Sequence, residues 1–171
     1  MASIIKVDTI QTAAGGTPTA ADLGLNTTGS VLQVVKGEQS GTLTVNTSAA
    51  TTYVSVSITP QSTSSKIYLT CSVMLIATNL STSGARIRLT PQIQRAGHGV
   101  ITQLNEAFQM RDYSFTSTNN ETCIPCTLQV LDSPSTTSPV TYNFNVYGTQ
   151  VSGNCRVSGT NVDFIAMEIA G

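Results

Sequence analysis

Two cysteines with two residues between them are the first side chains in this sequence whose spacing suits a chemical site. Cys123 and Cys126 stand in the stretch TCIPCT, whereas Cys71 and Cys155 are isolated. A Cys-x-x-Cys pair serves as a redox motif or as half of a zinc site. The redox motif needs a helix after its first cysteine, but Pro125 and the residues after it indicate a strand. A zinc site needs a second close pair, which the sequence lacks.

We therefore expect the cysteines to act as small buried apolar residues, which is their commonest role as free thiols. A disulfide between Cys71 and Cys155 remains open, because spacing alone cannot decide it. No metal and no other cofactor is predicted.

Catalytic groups are also scarce. The single histidine, His98, lies between two glycines in RAGHGV, which indicates an exposed turn. No Gly-x-Ser-x-Gly elbow accompanies it, and the nine acidic residues are scattered. Asp132, in LDSPS, is predicted to form a turn by bonding its own backbone. Without a nucleophile, base and partner in one pattern, we predict that the protein is not an enzyme.

Charge and the distribution of apolar residues argue against two further classes of partner, nucleic acids and the membrane interior. Only 10% of the 171 residues are charged, the net charge is −1, and the isoelectric point is near 5.7. Nucleic-acid binding has no electrostatic basis without a basic patch. No stretch approaches the roughly 20 apolar residues of a membrane span, so membrane insertion is not expected. The N-terminus also lacks the pattern of a secretory signal.

Short alternating segments dominate the chain from residue 30 onward. Val54, Val56 and Ile58 alternate with serines, and Tyr142, Phe144 and Val146 alternate with asparagines. Such alternation is typical of half-buried strands, and about nine strands follow at roughly twelve-residue spacing. Pro91 is predicted to bend or end its strand. With no helix to join parallel strands, the predicted fold is all-β, a jelly-roll-like antiparallel β-sandwich.

The first 28 residues differ from the rest. Apolar residues alternate from Ile4 to Ile10, and the following TAAGGTPTAADLGLNTTG is small and turn-rich. We predict two parts, an N-terminal extended arm with its linker at 1–28 and a β-sandwich at 29–171. The opposite terminus is apolar on both faces, with Phe164, Ile165, Met167 and Ile169 close to the last residue. Such a strand is central in the sandwich or in contact with a neighbouring subunit, and the two are compatible because each face can serve one purpose.

Several segments resemble one family. The stretch IIKVDTIQTAAGGTPTAADLGLNTTGSVLQVV resembles the N-terminal segment of tail-fibre and other virion proteins of tailed bacteriophages, particularly those of cyanobacteria and marine bacteria. The stretches ITPQSTSSKIYL, LDSPSTTSPVTYNF and MEIAG resemble the distal β-sandwich of the same proteins. Residues 77–121 carry no such resemblance, and in this family the outer loops would lie there.

The resemblance implies a homotrimer in the virion that is attached by its N-terminal segment. Ile4, Ile5, Val7 and Ile10 would form the attachment strand. The trimer contact would include Phe164, Ile165, Met167 and Ile169. The sequence has no shaft between arm and sandwich, which favours a short appendage over a long fibre.

Three functions follow as hypotheses. The first is a short trimeric tail fibre or adhesin-like appendage. The second is a capsid decoration (head fibre) protein, and the third is a stand-alone glycan-binding module. The expected partners are further copies of this chain and other virion proteins of the tail, baseplate or capsid. A host surface glycan is a further candidate, because loops rich in hydroxyl and amide groups suit wet recognition.

Overall fold

The computed structural model describes residues 10–11, 14–18, 23–24, 28–45, 49–78, 86–104, 108–111, 121–149 and 154–171. Within these residues every regular element is a strand, as predicted. The strands are β1 (Val31–Thr44), β2 (Thr51–Ile58), β3 (Lys66–Thr78), β4 (Arg86–Arg95), β5 (Gly99–Gln103), β6 (Phe108–Arg111), β7 (Glu121–Asp132), β8 (Val140–Thr149) and β9 (Asn154–Ile169). The described residues contain no helix long and apolar enough to cross a membrane.

The strands form two antiparallel sheets. The first sheet has the order β1-β9-β3-β7, and the second has the order β2-β8-β4-β5 with β6 also paired to β4. The pairing is nested: β1 pairs with β9, β2 with β8, β3 with β7, and β4 with β5 and β6. A long hairpin folded over on itself gives this order, and it is the topology of a jelly roll. The prediction of an antiparallel β-sandwich is confirmed.

The core lies between the two sheets. On β3 the residues Ile67, Leu69 and Leu75 are fully buried, because alternate side chains of a strand share one face. Phe144 of the second sheet meets Phe164 of the first edge to face, with ring centroids 6.5 Å apart. This arrangement suits aromatic pairs and joins the two sheets at their centres.

β1 is longer than the sequence indicated. The stretches VLQVVK and TLTVN indicate two short strands, at 31–36 and 42–46, but one continuous strand covers the first and runs into the second as far as Thr44. The register against β9 shifts between Gln39 and Gly41, and Gly41 has a φ of 99°. A glycine at positive φ lets a bulge absorb one extra residue while the ladder continues, so the strand does not end there.

Of the two outcomes predicted at Pro91, the end of the strand is wrong, because β4 continues through it to Arg95, and a bend stays a prediction. Its carbonyl accepts a hydrogen bond from the Leu104 backbone N–H, 3.1 Å away. On that side β4 pairs with β6 up to Leu89 and with β5 from Gln92 onward. Pro91 therefore lies where β4 changes partner, and its missing N–H interrupts neither ladder.

The role expected for Asp132 is also corrected. Its Oδ2 accepts hydrogen bonds from Arg95 Nη1 and from the Tyr142 hydroxyl, each at 2.8 Å. Arg95 ends β4, Asp132 ends β7 and Tyr142 lies near the start of β8, so the carboxylate joins three strands instead of forming a local turn. Burial is the main reason that the pKa of Tyr142 is raised, and the hydrogen bond to Asp132 adds to it.

Gly37 brings β1 against β2. A Cβ atom added at Gly37 would collide with the backbone carbonyl of Ser55. Only a glycine permits two backbones to approach so closely, and the contact closes one side of the sandwich.

Candidate functional site

The sandwich has two distinct ends. At one end, which we call the arm end, the N–H of Gly29 donates to Ala170 O and the N–H of Ala170 donates to Ser30 O, both at 2.8 Å. The chain therefore enters β1 beside its own C-terminus. Three connections lie at this end, namely 59–65 between β2 and β3, 96–98 between β4 and β5, and 133–139 between β7 and β8.

The opposite end is formed by the other strand termini. Thr78 at the end of β3 pairs with Asn154 and Glu121, which begin β9 and β7. In the second sheet Arg86 pairs with Arg111. Here β1, β3, β6 and β8 end, and β2, β4, β7 and β9 begin. The sandwich therefore separates the start of β1 from these strand ends.

The predicted attachment residues are only partly covered by the structure. Ile4, Ile5 and Val7 lie outside the described residues. Ile10 is 54% exposed, so its side chain is available to a partner. The division into an arm at 1–28 and a sandwich at 29–171 stays a prediction, as does the attachment role.

The last strand divides the predicted contact residues between two faces. Phe164 is fully buried in the core of its own chain, so it has no surface to offer a neighbouring subunit. Ile165, Met167 and Ile169 have the opposite parity on β9 and point outward, where each is half-buried. The predicted contact thus remains a prediction for these three residues and does not extend to Phe164.

Register places Met167 in an apolar row across the whole first sheet. Val34 on β1 pairs with Met167, Met167 pairs with Tyr68 on β3, and Tyr68 pairs with Leu131 on β7. Val34 is 57% exposed and Leu131 is 52% exposed. The solvent face of an antiparallel sheet normally carries polar side chains, so a four-strand apolar row is unusual there.

Neighbouring rows extend this surface on both sides. Val31, which is 54% exposed, pairs with Ile169. Ile165 lies two residues from Met167 on the same face. We call this surface the outer apolar patch, and its members are Val31, Val34, Tyr68, Leu131, Ile165, Met167 and Ile169. Contiguous exposed apolar surface of this kind marks contact sites between proteins.

The rest of the same face is mostly polar, although Met74, which pairs with Pro125, is 36% exposed there. Lys36 forms ion pairs with Glu38 and, at 3.4 Å, with Asp163, and the hydrogen bond to Glu38 is the main reason that its pKa is raised. Ser72 and Thr127 share a 2.7 Å hydrogen bond between their hydroxyls. The apolar patch is therefore confined to the half of the face beside the arm end.

Glu168 holds the arm end together from inside. Its carboxylate accepts hydrogen bonds from the backbone N–H of Gln61 at 2.7 Å and from the side-chain amide of Gln33 at 2.5 Å. Burial raises the pKa of Glu168, but these hydrogen bonds, led by that from Gln33, outweigh the effect and leave the pKa below its usual value. The stretches ITPQSTSSKIYL and MEIAG, far apart in sequence, thus meet at one buried carboxylate.

The cysteines show no chemical site. Cys71 and Cys126 are buried free thiols, as predicted, whereas Cys123 is exposed, contrary to prediction. Burial raises the pKa of Cys71 to about 12 and that of Cys126 to about 11, which leaves both as unreactive thiols at neutral pH. The disulfide left open for Cys71 is not formed. The side chain of Cys155 lies outside the described ones.

Among the described residues, no group of three or more His, Cys, Asp and Glu side chains could hold a metal ion. His98 lies exposed in the turn between β4 and β5, as predicted.

Four members of the outer apolar patch were not predicted from the sequence: Val31, Val34, Tyr68 and Leu131. The signal in the sequence was weak, because β1 contributes only two of them and β3 and β7 one each. Only the register between distant strands brings them together.

No protein-family model and no curated protein matches the sequence. Among solved structures, the chain is similar to the Eiger TNF of S. frugiperda, with 12% identity, a TM-score of 0.44, and coverage of 81% of this chain and 93% of that one. For infectious bursal disease virus, Gx strain, the values are 11% identity, a TM-score of 0.42, and coverage of 83% of this chain but only 34% of that one. For the CBM22-1 xylan-binding domain from Paenibacillus barcinonensis Xyn10C the identity is 9% and the TM-score is 0.25, with coverage of 84% of this chain and 97% of that one. At TM-scores below 0.5 these similarities carry no argument, so the fold assignment rests on strand order and register.

Proposed function

We propose that this chain is a bacteriophage virion structural protein, a short trimeric tail fibre or adhesin-like appendage attached by its N-terminal arm. The observation that carries the proposal is the outer apolar patch beside the point where the arm enters the sandwich. In a monomer an apolar row across a solvent-facing sheet stays in contact with water and adds no stability. In a self-associating sandwich the same row is buried in the interface.

Self-association through this patch would place three sandwiches with their arm ends together. Val34, Met167 and Leu131 would be removed from water, at a favourable free energy of about 25 cal/mol for each Å² of apolar surface buried. Because the patch is confined to the half of the face beside the arm end, three arms would leave the trimer close to one another.

The difference between the two ends of the sandwich supports the role of an appendage. The start of β1 and the Glu168 cluster lie at one end, and β1, β3, β6 and β8 end at the other. In an attached trimer those strand ends would face away from the particle, toward a host surface.

The arm would attach by adding a strand to a sheet of another virion protein. Main-chain hydrogen bonds would provide affinity, and the side chains of Ile4, Ile5, Val7 and Ile10 would fill alternate pockets. Three linked arms bind with an avidity that can exceed that of one arm by about 10²–10⁴. The small, turn-rich linker would allow three arms to reach sites on a platform of different symmetry.

The attachment role is tested by deleting residues 1–28 in a phage that encodes this chain. We expect the truncated protein to remain a folded trimer by light scattering and to be missing from purified particles. An otherwise identical phage with the full-length chain serves as the control. Normal incorporation of the truncated protein would contradict the role of the arm.

Electron microscopy of the same particles locates the trimer. Density at the tail or baseplate is expected for an appendage. Density on the capsid surface would instead assign the protein as a capsid decoration (head fibre) protein.

A further inference from the structure

A cavity of about 320 Å³ lies at the arm end, between the turn after β4 and the loop that joins β7 to β8. Arg95 and Thr141 line this cavity, as do Pro134, Thr136 and Pro139 of the 133–139 loop. Its size is at the lower end of the range of about 300–1,000 Å³ found for small-molecule sites. None of these residues belongs to the outer apolar patch.

The charge in the cavity is compensated. Arg95 Nη1 is bonded to Asp132 Oδ2 at 2.8 Å, and Tyr142 donates to the same oxygen. This pair leaves no net charge to select an ion. A guanidinium has five N–H donors, and the Asp132 contact engages Nη1, so Arg95 retains donors for a ligand. The cavity therefore favours a neutral ligand with hydrogen-bond acceptors.

Thr141 connects the cavity to an uncharged polar surface on the second sheet. Its hydroxyl shares a 2.8 Å hydrogen bond with that of Ser57, and in the next row the Ser55 hydroxyl donates to Asn143 Oδ1, also at 2.8 Å. These side chains hold one another in fixed positions, which reduces the entropy lost when a ligand binds.

One row further, the side chain of Asn145 is only 3% exposed. It lies on the same outward parity as Asn143, and its Nδ2 donates to Gln94 Oε1 at 2.8 Å. Its Oδ1 is buried and has no hydrogen-bond partner among the described residues. A buried acceptor without a partner is uncommon and marks a position where a donor is missing.

The 133–139 loop, which also lines the cavity, has one residue in a strained backbone conformation. Ser135 has a φ of 53°, which a residue with a Cβ atom rarely adopts. Thr136 fixes the loop by accepting a hydrogen bond from the Ser138 N–H at 3.0 Å. Local strain of this kind concentrates at ligand sites. Pro134 and Pro139 of the same loop line the cavity, where their rings provide apolar surface beside Arg95, Thr136 and Thr141.

We propose that this cavity binds one ring of a neutral carbohydrate, with the C–H face of the sugar on the two prolines and its hydroxyls toward Arg95, Thr136 and Thr141. Sugar hydroxyls both donate and accept, which matches a wall of hydroxyl and guanidinium groups with compensated charge. The inference does not depend on the particle role proposed above, because it needs only the folded sandwich. A failed attachment experiment and a failed sugar experiment are therefore distinguishable.

The full-length chain can be titrated with glucose, galactose, N-acetylglucosamine and rhamnose to about 50 mM, well above a millimolar dissociation constant. The readout is the NMR signals of the Thr136 and Thr141 methyl groups and of Arg95 Nε–H. We expect at least one sugar to shift these signals saturably. The methyl signal of Thr127, on the outer face of the other sheet, should not move.

Thr141→Val removes one hydroxyl while keeping the β-branched shape that the strand requires. We expect it to weaken binding roughly two- to tenfold, the range for one lost hydrogen bond, whereas the matched control Thr127→Val leaves binding unchanged. Three outcomes would overturn the proposal: no sugar shifts the cavity signals, the shifts centre on another surface, or Thr141→Val binds as tightly as the control.

Discussion

The backbone N–H of Gln61 donates a 2.7 Å hydrogen bond to the carboxylate of Glu168, which lies 107 residues later in the chain. This bond ties the connection between β2 and β3 to the last strand at the arm end of the sandwich. Because Gln33 of β1 donates to the same carboxylate, one buried side chain joins three parts of the chain.

Replacing Glu168 with alanine should destabilise the sandwich. The change removes the acceptor of the Gln61 N–H and one of the two acceptors of the Gln33 amide, which keeps only its 2.7 Å bond to the Thr59 carbonyl. We expect a loss of roughly 1–3 kcal/mol. The measurement is the free energy of unfolding from urea denaturation. Asp163→Asn is the matched control, because its exposed ion pair with Lys36 contributes roughly 0–1 kcal/mol. An equal decrease in the free energy of unfolding in the two variants would refute a special role for Glu168.

The same carboxylate predicts a pH dependence. Its pKa is lower in the folded protein than the usual 4.5, so its ionised form stabilises the fold above that value. This stabilisation should be lost as the pH falls through the folded-state pKa. The free energy of unfolding of the native chain and of Glu168→Gln, measured from pH 7 to pH 2, should differ most at neutral pH and converge in acid. A constant difference across this range would argue against the depressed pKa.

Met167→Lys should dissociate the proposed trimer without unfolding the chain. Met167 points outward from β9, so a lysine there is solvated in a monomer but would bury a charge within a packed interface. Light scattering at micromolar concentration should give the mass of one chain, with an unchanged circular dichroism spectrum. Thr127→Lys, on the same face but outside the outer apolar patch, should keep the native mass. A native chain that is itself a stable monomer would remove the basis of the assembly.

Gly37→Ala should weaken the contact between β1 and β2. The new methyl group would collide with the Ser55 carbonyl, and relieving an overpacked contact of this kind costs about 1–3 kcal/mol. Ser40→Ala, an exposed position on the same strand, should change the free energy of unfolding little. Thermal denaturation of the two variants gives the comparison, and equal melting temperatures would show that β1 adjusts without cost.

The cysteines should differ in reactivity according to burial. Cys71 and Cys126 should resist iodoacetamide in the folded protein, because they are buried and their raised pKa values leave almost no thiolate at pH 8. Cys123 is exposed and serves as an internal reference in the same sample. Mass spectrometry after a short exposure should find modification at Cys123 first. Modification of Cys126 at the same rate would contradict its buried position.

Alternation in the sequence predicted the inward faces of β2, β3 and β8, because apolar and polar residues alternate within each of these strands. It could not predict the outer apolar patch, because Val34, Met167 and Tyr68 become neighbours only through the register of three strands. The burial of Glu168 was equally hidden, since both of its partners come from other elements. Pro91 was misjudged for the same reason: the chain alone does not show where a strand changes partner.

The position of β9 also bears on how the protein folds during synthesis. This strand of 16 residues lies between β1 and β3, so both of its ladders connect it with segments made much earlier. Contacts between distant parts of a chain form slowly, because a large loop must close before they are gained. During synthesis β1 and β3 are therefore made long before the strand that lies between them, and the first sheet can be completed only after β9 has left the ribosome.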